Sequence, residues 1–278
     1  MGSHLVVTPA RLDGQGFIDA APHRASLPAV YNRVQLCTGD PAYVAANEAR
    51  QALLRPLFTT SFLIDDFLAE HDFFGARQVL LSSASSKTAY GTALCVSGRK
   101  HDAGVTVTGL TSEANRAFTE SLGCYDQVLA YESLSALDHT QSTVYVDMSG
   151  SASQRLAVHS HFEGALRYSC SVGGTHWDDL GTGAGLPGPR PTLFFAPAQL
   201  RRRLAPPPEG WGPAGLQERI DAAWARLMRA MDGAGAAPWL VVEAGHGPAA
   251  VRQAYLALLE GRSDPRVGHL LSFHDSEA

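Results

Sequence analysis

Six consecutive residues, Ser82-Ser83-Ala84-Ser85-Ser86-Lys87, set four hydroxyls and one ammonium directly after the apolar run Val79-Leu80-Leu81. That run reads as a buried strand, and Lys87 to Leu94 reads as helix, so the polar cluster forms a tight turn at a helix opening. Such a unit suits anion binding, because the first turn of a helix has N–H groups without intrahelical partners and carries the positive end of the helix dipole. Two other chemistries fit less well. Ser86-Lys87-Thr88 ends like a P-loop but lacks the glycines before it, and Ser83 and Ser85 lack the flanking glycines of a nucleophile elbow.

Further candidates lie elsewhere. His176 with Asp178 and Asp179 could form an acid/base or hard-metal site on a loop, or simply a polar cluster. Glu243 and His246 follow a predicted strand in a Glu-Ala-Gly-His-Gly turn, where His246 would bond backbone or face a cleft. His159 and His161 are two apart and would point in different directions on a helix. Cys37, Cys95, Cys124 and Cys170 show no paired ligand spacing, so no zinc site and no disulfide framework is expected.

The elements that must position these groups alternate in type. Strands are predicted at Leu5–Thr8, Phe17–Ile18, Val79–Leu81, Val105–Thr108, Gln127–Ala130, Val144–Val146, Ala165–Cys170, Thr192–Phe195, Leu240–Val242 and Val267–Leu271. Helices are predicted at Ala45–Leu54, Phe62–Leu68, Lys87–Leu94, Ser112–Leu122 with Ser112 as cap, Ala152–His161, Leu216–Met231 and Ala249–Leu259. In Leu216–Met231 the apolar residues Leu216, Ile220, Trp224, Leu227 and Met231 recur at helical spacing as a core-facing stripe. Ala29–Leu36 fits either a strand or a short helix. The rhythm predicts an α/β fold with a mostly parallel sheet covered on both faces. Residues 173–191 hold six glycines and three prolines, too many for regular structure, and form a long loop after a strand. Three parts are expected: residues 1–55, too short for a self-sufficient domain, residues 56–238, and a strand-helix-strand at 239–278 that packs back on the first part.

The chain has 278 residues, a formal charge of -5, a 45% hydrophobic share and a mean hydropathy of -0.07. Acidic residues outnumber basic ones, 27 to 22, which argues against a nucleic-acid partner. The Arg201-Arg202-Arg203 run is the one dense basic spot and reads as a solvated helix face. No membrane span or secretory leader is apparent, and reduced cysteines fit a cytoplasmic location.

Several segments resemble the medium-chain dehydrogenase/reductase superfamily, especially its zinc-free, quinone-reductase-like members. Val79–Leu94 takes the place of their strand, glycine-rich turn and helix. Leu122–Val128 looks like the turn into their third strand, Val144–Gly150 like the fourth strand and the loop beside the cofactor, and Ala254–Leu271 like the closing helix and strand. Leu53–Phe62 and Ser82–Tyr90 resemble more closely a bacterial and fungal group of that superfamily named only as a domain of unknown function. The resemblance implies a Rossmann-like domain for residues 56–238. It also implies that residues 1–55 are the remnant of a GroES-like catalytic domain, most of which would precede residue 1 in longer relatives.

By the same resemblance, NADP is the expected cofactor and a small molecule the expected substrate. The family's turn glycines fall on Ser83, Ser86, Lys87 and Ala89, so hydroxyls of Ser83, Ser85 and Ser86 and the Lys87 ammonium would replace lost backbone contacts to pyrophosphate. The second strand ends without the acidic residue that bonds an adenine ribose, and Thr111, Ser112 and Arg116 could surround a 2′-phosphate instead, or serve as helix cap and surface charge. Ser149 would lie beside the cofactor. Tyr31, Tyr90 and His176 are the candidates for catalytic roles.

Three functions stay open on this reading. One is NADP-dependent hydride transfer to a carbonyl or enone. The others are a noncatalytic nucleotide-binding or protein-interacting relative, and a non-redox enzyme that uses the former cofactor cleft. A shortened cleft wall would expose apolar surface that a second copy could cover, which leaves a homodimer open.

Overall fold

A computed structural model describes residues 5–27, 31–40, 42–173, 185–233 and 238–274, with only the backbone at 100 and 101. The chain forms two compact units, Met1–Arg55 with Leu240–Ala278, and Pro56–Trp239.

In the first unit, strands β1 (Pro9–Asp13), β2 (Gly16–Asp19) and β3 (Arg33–Gln35) make an antiparallel sheet. Leu5–Thr8, expected as a strand, is irregular. Its end is fixed by the Thr8 N–H, which donates to Asp19 Oδ1 at 3.0 Å, and pairing begins only at Pro9. The ambiguous segment Ala29–Leu36 contains β3.

Helix α1 (Glu48–Glu70) follows, its first turns in the first unit and the rest in the second. The sequence suggests two helices here, and one continuous helix of 23 residues is found, running through Pro56. An internal proline costs about 3 kcal/mol. Burial of Phe58, Phe62, Leu63, Ile64 and Leu68 offsets it, since each such side chain contributes about 1.5–3 kcal/mol.

The second unit continues with β4 (Gln78–Leu81), α2 (Lys87–Ser97), α3 (Lys100–Ala103), β5 (Thr106–Thr111), α4 (Glu113–Ser121), β6 (Gln127–Ala130), β7 (Thr143–Asp147), α5 (Ala152–Phe162), β8 (Leu166–Ser171), β9 (Thr192–Leu193), α6 (Ala196–Leu204) and α7 (Gly212–Met231). Its six strands form one parallel sheet in the order β6-β5-β4-β7-β8-β9. Numbered from β4, that order is 3-2-1-4-5-6, the Rossmann arrangement. Thus the α/β expectation is met.

The central strands β4 and β7 are buried throughout, as continuous apolar runs in a covered parallel sheet should be. Leu80, Leu110, Tyr145 and Leu166 pack with Val158 and Phe162 of α5 and with Leu134 and Leu137. All five stripe residues of α7 are buried, and Trp224 meets Phe58 edge-on at 5.7 Å. The strand expected at Thr192–Phe195 stops at Leu193, because Phe195 is already the residue before α6.

In the first unit, β10 (Val241–His246), α8 (Gly247–Leu259) and β11 (Val267–Ser272) close the chain as two parallel strands with their crossover helix. Glu243 and His246, expected in a turn, belong to β10. Among the described residues no helix is long and apolar enough to cross a membrane.

Candidate functional site

Strand order fixes where a ligand can enter the second unit. From β4 the chain builds outward through β5 and β6, then returns to place β7 on the other side of β4. Ligands of open parallel sheets bind outside the carboxyl ends of strands at such a reversal, here β4 and β7.

Those two strand ends are tied together by side chains. Ser82 Oγ donates to Asp147 Oδ1 at 3.0 Å and accepts the backbone N–H groups of Met148 at 2.9 Å and Ser149 at 3.2 Å. Asp147 Oδ1 also accepts the Ser149 N–H at 3.0 Å, the Ser149 hydroxyl at 2.8 Å and the Gly150 N–H at 3.0 Å. Its second oxygen accepts Arg155 Nε at 3.0 Å, with Nη2 at 2.9 Å in the same ion pair. Both residues are buried, so each neutralises a charge that would otherwise be costly there. Asp147 is therefore a brace whose acceptor capacity is spent within the protein.

The turn after β4 is equally determined. Ser83 sits at φ 47°, a left-handed conformation usually left to glycine, and its N–H donates to the Tyr131 hydroxyl at 2.8 Å. Burial raises the Tyr131 phenol above its usual range, so this hydroxyl stays protonated. Ala84 donates its N–H to Leu110 O at 2.9 Å and accepts the Tyr125 hydroxyl at 2.8 Å. A Cβ on Gly109 would come within 2.8 Å of Ala84 Cβ, so glycine in β5 is what lets the turn lie against the sheet. Ser86 caps α2, accepting the Ala89 N–H at 3.4 Å. Lys87 opens the helix, half-buried.

Beside this turn, at the end of β5, Thr111 donates to Ser85 Oγ at 3.4 Å, and Asn115 Nδ2 donates to the same oxygen at 3.3 Å. Ser112 is the residue before α4 but its side chain makes no capping bond. Arg116 is exposed and paired with Glu113 at 3.1 Å.

Seven of the sequence candidates thus meet at one end of the sheet: Ser83, Ser85, Ser86, Lys87, Thr111, Ser112 and Ser149. Arg116 stands on the exposed side of α4. The catalytic candidates are Tyr90, Tyr31 and His176. Tyr90 is fully buried on α2 against the Trp239 ring, centroids 5.4 Å apart, and its phenol has no hydrogen-bond partner among the described residues. A ring with no accessible surface packs; it does not touch a ligand. Burial also raises its phenol well above the ordinary value. Tyr31 is 54% exposed in the first unit. His176, with Asp178 and Asp179, lies outside the described residues.

Tyr131, Asn115 and the Asp147–Arg155 brace escaped sequence reasoning. The turn Asp147–Gly150 directly after the predicted Val144–Val146 strand is legible and has the form of an Asx turn, but its pairing with Ser82 and Arg155 is not. Nothing in the spacing points Tyr131 at Ser83, 48 residues away. His159, expected only to diverge from His161, is buried between Pro187 O at 2.8 Å and Ser169 Oγ at 2.9 Å, and burial lowers its pKa below 6.5.

The turn fits a pyrophosphate on two counts. Ser83 holds the left-handed backbone for which the dinucleotide turn uses glycine, and α2 points its positive end at the crevice. It differs on one count, because the Ser83 amide is already given to Tyr131.

A family model described as "Protein of unknown function (DUF2855)" matches residues 1–264. Curated proteins offer no match. Among solved structures, the chain is similar to the YhdH oxidoreductase of Salmonella enterica in complex with NADP, at 14% identity and a TM-score of 0.48, covering 87% of this chain and 66% of that one. It is similar to YhdH of E. coli K-12 with bound NADPH at 14% identity and TM-score 0.47, covering 87% and 67%. It is also similar to CurA of Vibrio vulnificus in complex with NADPH at 13% identity and TM-score 0.45, covering 76% and 62%. The chain thus spans about two thirds of the length of these structures.

Proposed function

We propose, for a chain that belongs to the family described as Protein of unknown function (DUF2855), that the crevice between the β4 and β7 ends holds NADP and serves hydride transfer to a small carbonyl or enone substrate. The observation that carries the reading is the strand reversal at β4 and β7, with the left-handed Ser83 leading into the amino end of α2.

Ser83, Ser85, Ser86 and Lys87 would hold the pyrophosphate, through hydroxyls, helix N–H groups and a cation. Thr111, Ser112 and Arg116 would receive the 2′-phosphate. Three features suit that role: no carboxylate ends β5 to repel it, Ser112 spends no hydroxyl on capping, and Arg116 is exposed beside the same strand end. Ser149, braced through Asp147, would line the crevice opposite the turn. Bound NADPH supplies the hydride. The reduced carbonyl oxygen also needs a proton, and Tyr31 has an exposed phenol chemically able to supply one. The assignment of His176 to catalysis belongs to the same proposal.

One observation favours a second reading, a nucleotide-binding relative without catalysis. Asp147 and Arg155, at the β7 side of the crevice, pair with each other, and Tyr90 is sequestered. The two readings separate in one assay, in which two preparations of NADPH, each labelled at a different one of the two C4 hydrogens, are incubated with the protein and a panel of carbonyls and enones. Stereospecific loss of one label supports the reductase. Tight binding with both labels retained across the panel supports the noncatalytic reading.

A further inference from the structure

One face of α7 is set with guanidinium groups. Arg219, Arg226 and Arg229 recur at helical spacing with Ala222 and Ala223 between them, so the helix offers a shallow floor rimmed by cations. This floor lines a cavity of about 770 Å³ whose far wall is the last part of α1.

The carboxylates of that wall are already engaged. Asp65 takes Arg99 Nε on both oxygens at 2.9 Å. Asp66 accepts Gln199 Nε2 at 2.6 Å and Arg203 Nε at 2.7 Å, while Glu70 pairs with Arg202 at 2.9 Å and Arg203 at 3.1 Å. Among the described residues no side-chain hydrogen bond or close ion pair engages Arg226 or Arg229, although the Arg226 charge acts on Asp65 and helps to hold its carboxyl down. In a chain of formal charge -5, five arginines line this cavity against four carboxylates.

Several of the cations are held in place. The guanidinium carbons of Arg203 and Arg219 each lie 4.5 Å from the centroid of the Trp211 ring. Arg226 extends over Gly98 at the end of α2, its Nη1 2.2 Å from where a Cβ on that residue would stand, so the guanidinium lies against the helix end. Positioned planar forks lose little entropy on binding and match phosphoryl oxygens in pairs. Several together gather more negative charge than a single carboxylate carries.

We propose that this cavity is a binding site for a phosphorylated small molecule, with Arg226 and Arg229 as its phosphoryl ligands and Arg219 completing the rim. The site is separate from the β4–β7 crevice. It lies at the carboxyl end of α2, whose 11 residues span roughly 16 Å at 1.5 Å each from the Lys87 end. It therefore does not rest on the reading of that crevice. Of the run Arg201-Arg202-Arg203, the first two are exposed as a solvated face should be, while Arg203 is turned in and pairs with Asp66 and Glu70.

The test is calorimetric titration of full-length Lys87→Ala protein, which weakens the anion site at the other end of α2, with inorganic pyrophosphate, repeated with Arg226→Gln/Arg229→Gln added. Both arginines are exposed, so the combined variant should fold. Saturable binding is expected in the Lys87→Ala protein, weakened about tenfold or more when both arginines are also replaced. No saturable heat in Lys87→Ala, or equal affinity with and without the two arginines, would each overturn the proposal, the second by leaving the anion away from the α7 face.

Discussion

Ser82 Oγ and Asp147 Oδ1 are 65 residues apart in sequence and 3.0 Å apart in space, and this one bond joins the carboxyl ends of the two strands that bound the crevice. Around it, backbone N–H groups of Met148, Ser149 and Gly150 and the Arg155 guanidinium converge, so the loop after β7 is tied at several points.

Asp147→Asn should be strongly destabilising. It leaves the Arg155 guanidinium, 4% exposed, without its counter-charge, which costs about 3–5 kcal/mol when one partner of a buried pair is removed. Urea unfolding measures this. Asp147→Asn with Arg155→Met should recover much of the loss, whereas a cost equal to the sum of the two single changes would show that the pair is not coupled.

Stability should also fall in mild acid through His159. Burial lowers its folded pKa below 6.5, so as pH drops through 6.5 the unfolded chain takes up a proton that the folded state still refuses. The contribution is present above that value and is lost on acidification. Urea midpoints taken between about pH 5 and about pH 7 should slope less in His159→Gln than in the parent, and identical slopes would remove His159 from the account.

Much of this fold was legible because its strongest signals are local. Apolar runs such as Val79–Leu81 and Val144–Val146, short and bounded by polar turns, read as covered strands rather than helices, and the α7 stripe follows one period over four turns. Pro56 misled because its penalty is local while the burial that offsets it is tertiary. At the site, the Ser82–Lys87 turn could be read from residue types. Its braces could not, since Tyr131, Asp147 and Arg155 act on groups 8 to 65 residues away, and no short-range pattern encodes which buried polar groups will meet.

Asp65 should titrate near neutrality. Burial pushes its carboxyl up to about 6 despite the Arg99 guanidinium beside it. The folded state thus holds this proton after the unfolded chain has released it near 3.8, and stability contributed here declines as pH rises from about 4 to about 6. Carbon-13 spectra of labelled aspartate should show one carboxyl with a midpoint near 6 that vanishes in Asp65→Asn. All aspartates titrating below about 5 would contradict it.

Thiol reactivity should divide sharply. Cys37 is exposed, whereas Cys95, Cys124 and Cys170 are buried, and burial pushes the Cys124 and Cys170 thiols up to about 12. A thiol reagent should label one cysteine quickly in the native protein and all four in denaturant. Rapid native labelling of a second cysteine would mean that the buried strands and helices open readily.

The claim on which the functional account depends is that the turn from Ser83 to Lys87 receives a dinucleotide. Fluorescence titration with NADPH at low salt, on the parent and on Lys87→Ala, tests it most directly. The account predicts saturable binding in the parent, weakened about tenfold in the variant, as loss of one charge-assisted contact to phosphate should do. Absence of saturable binding in the parent, or equal affinity in the two proteins, would contradict it.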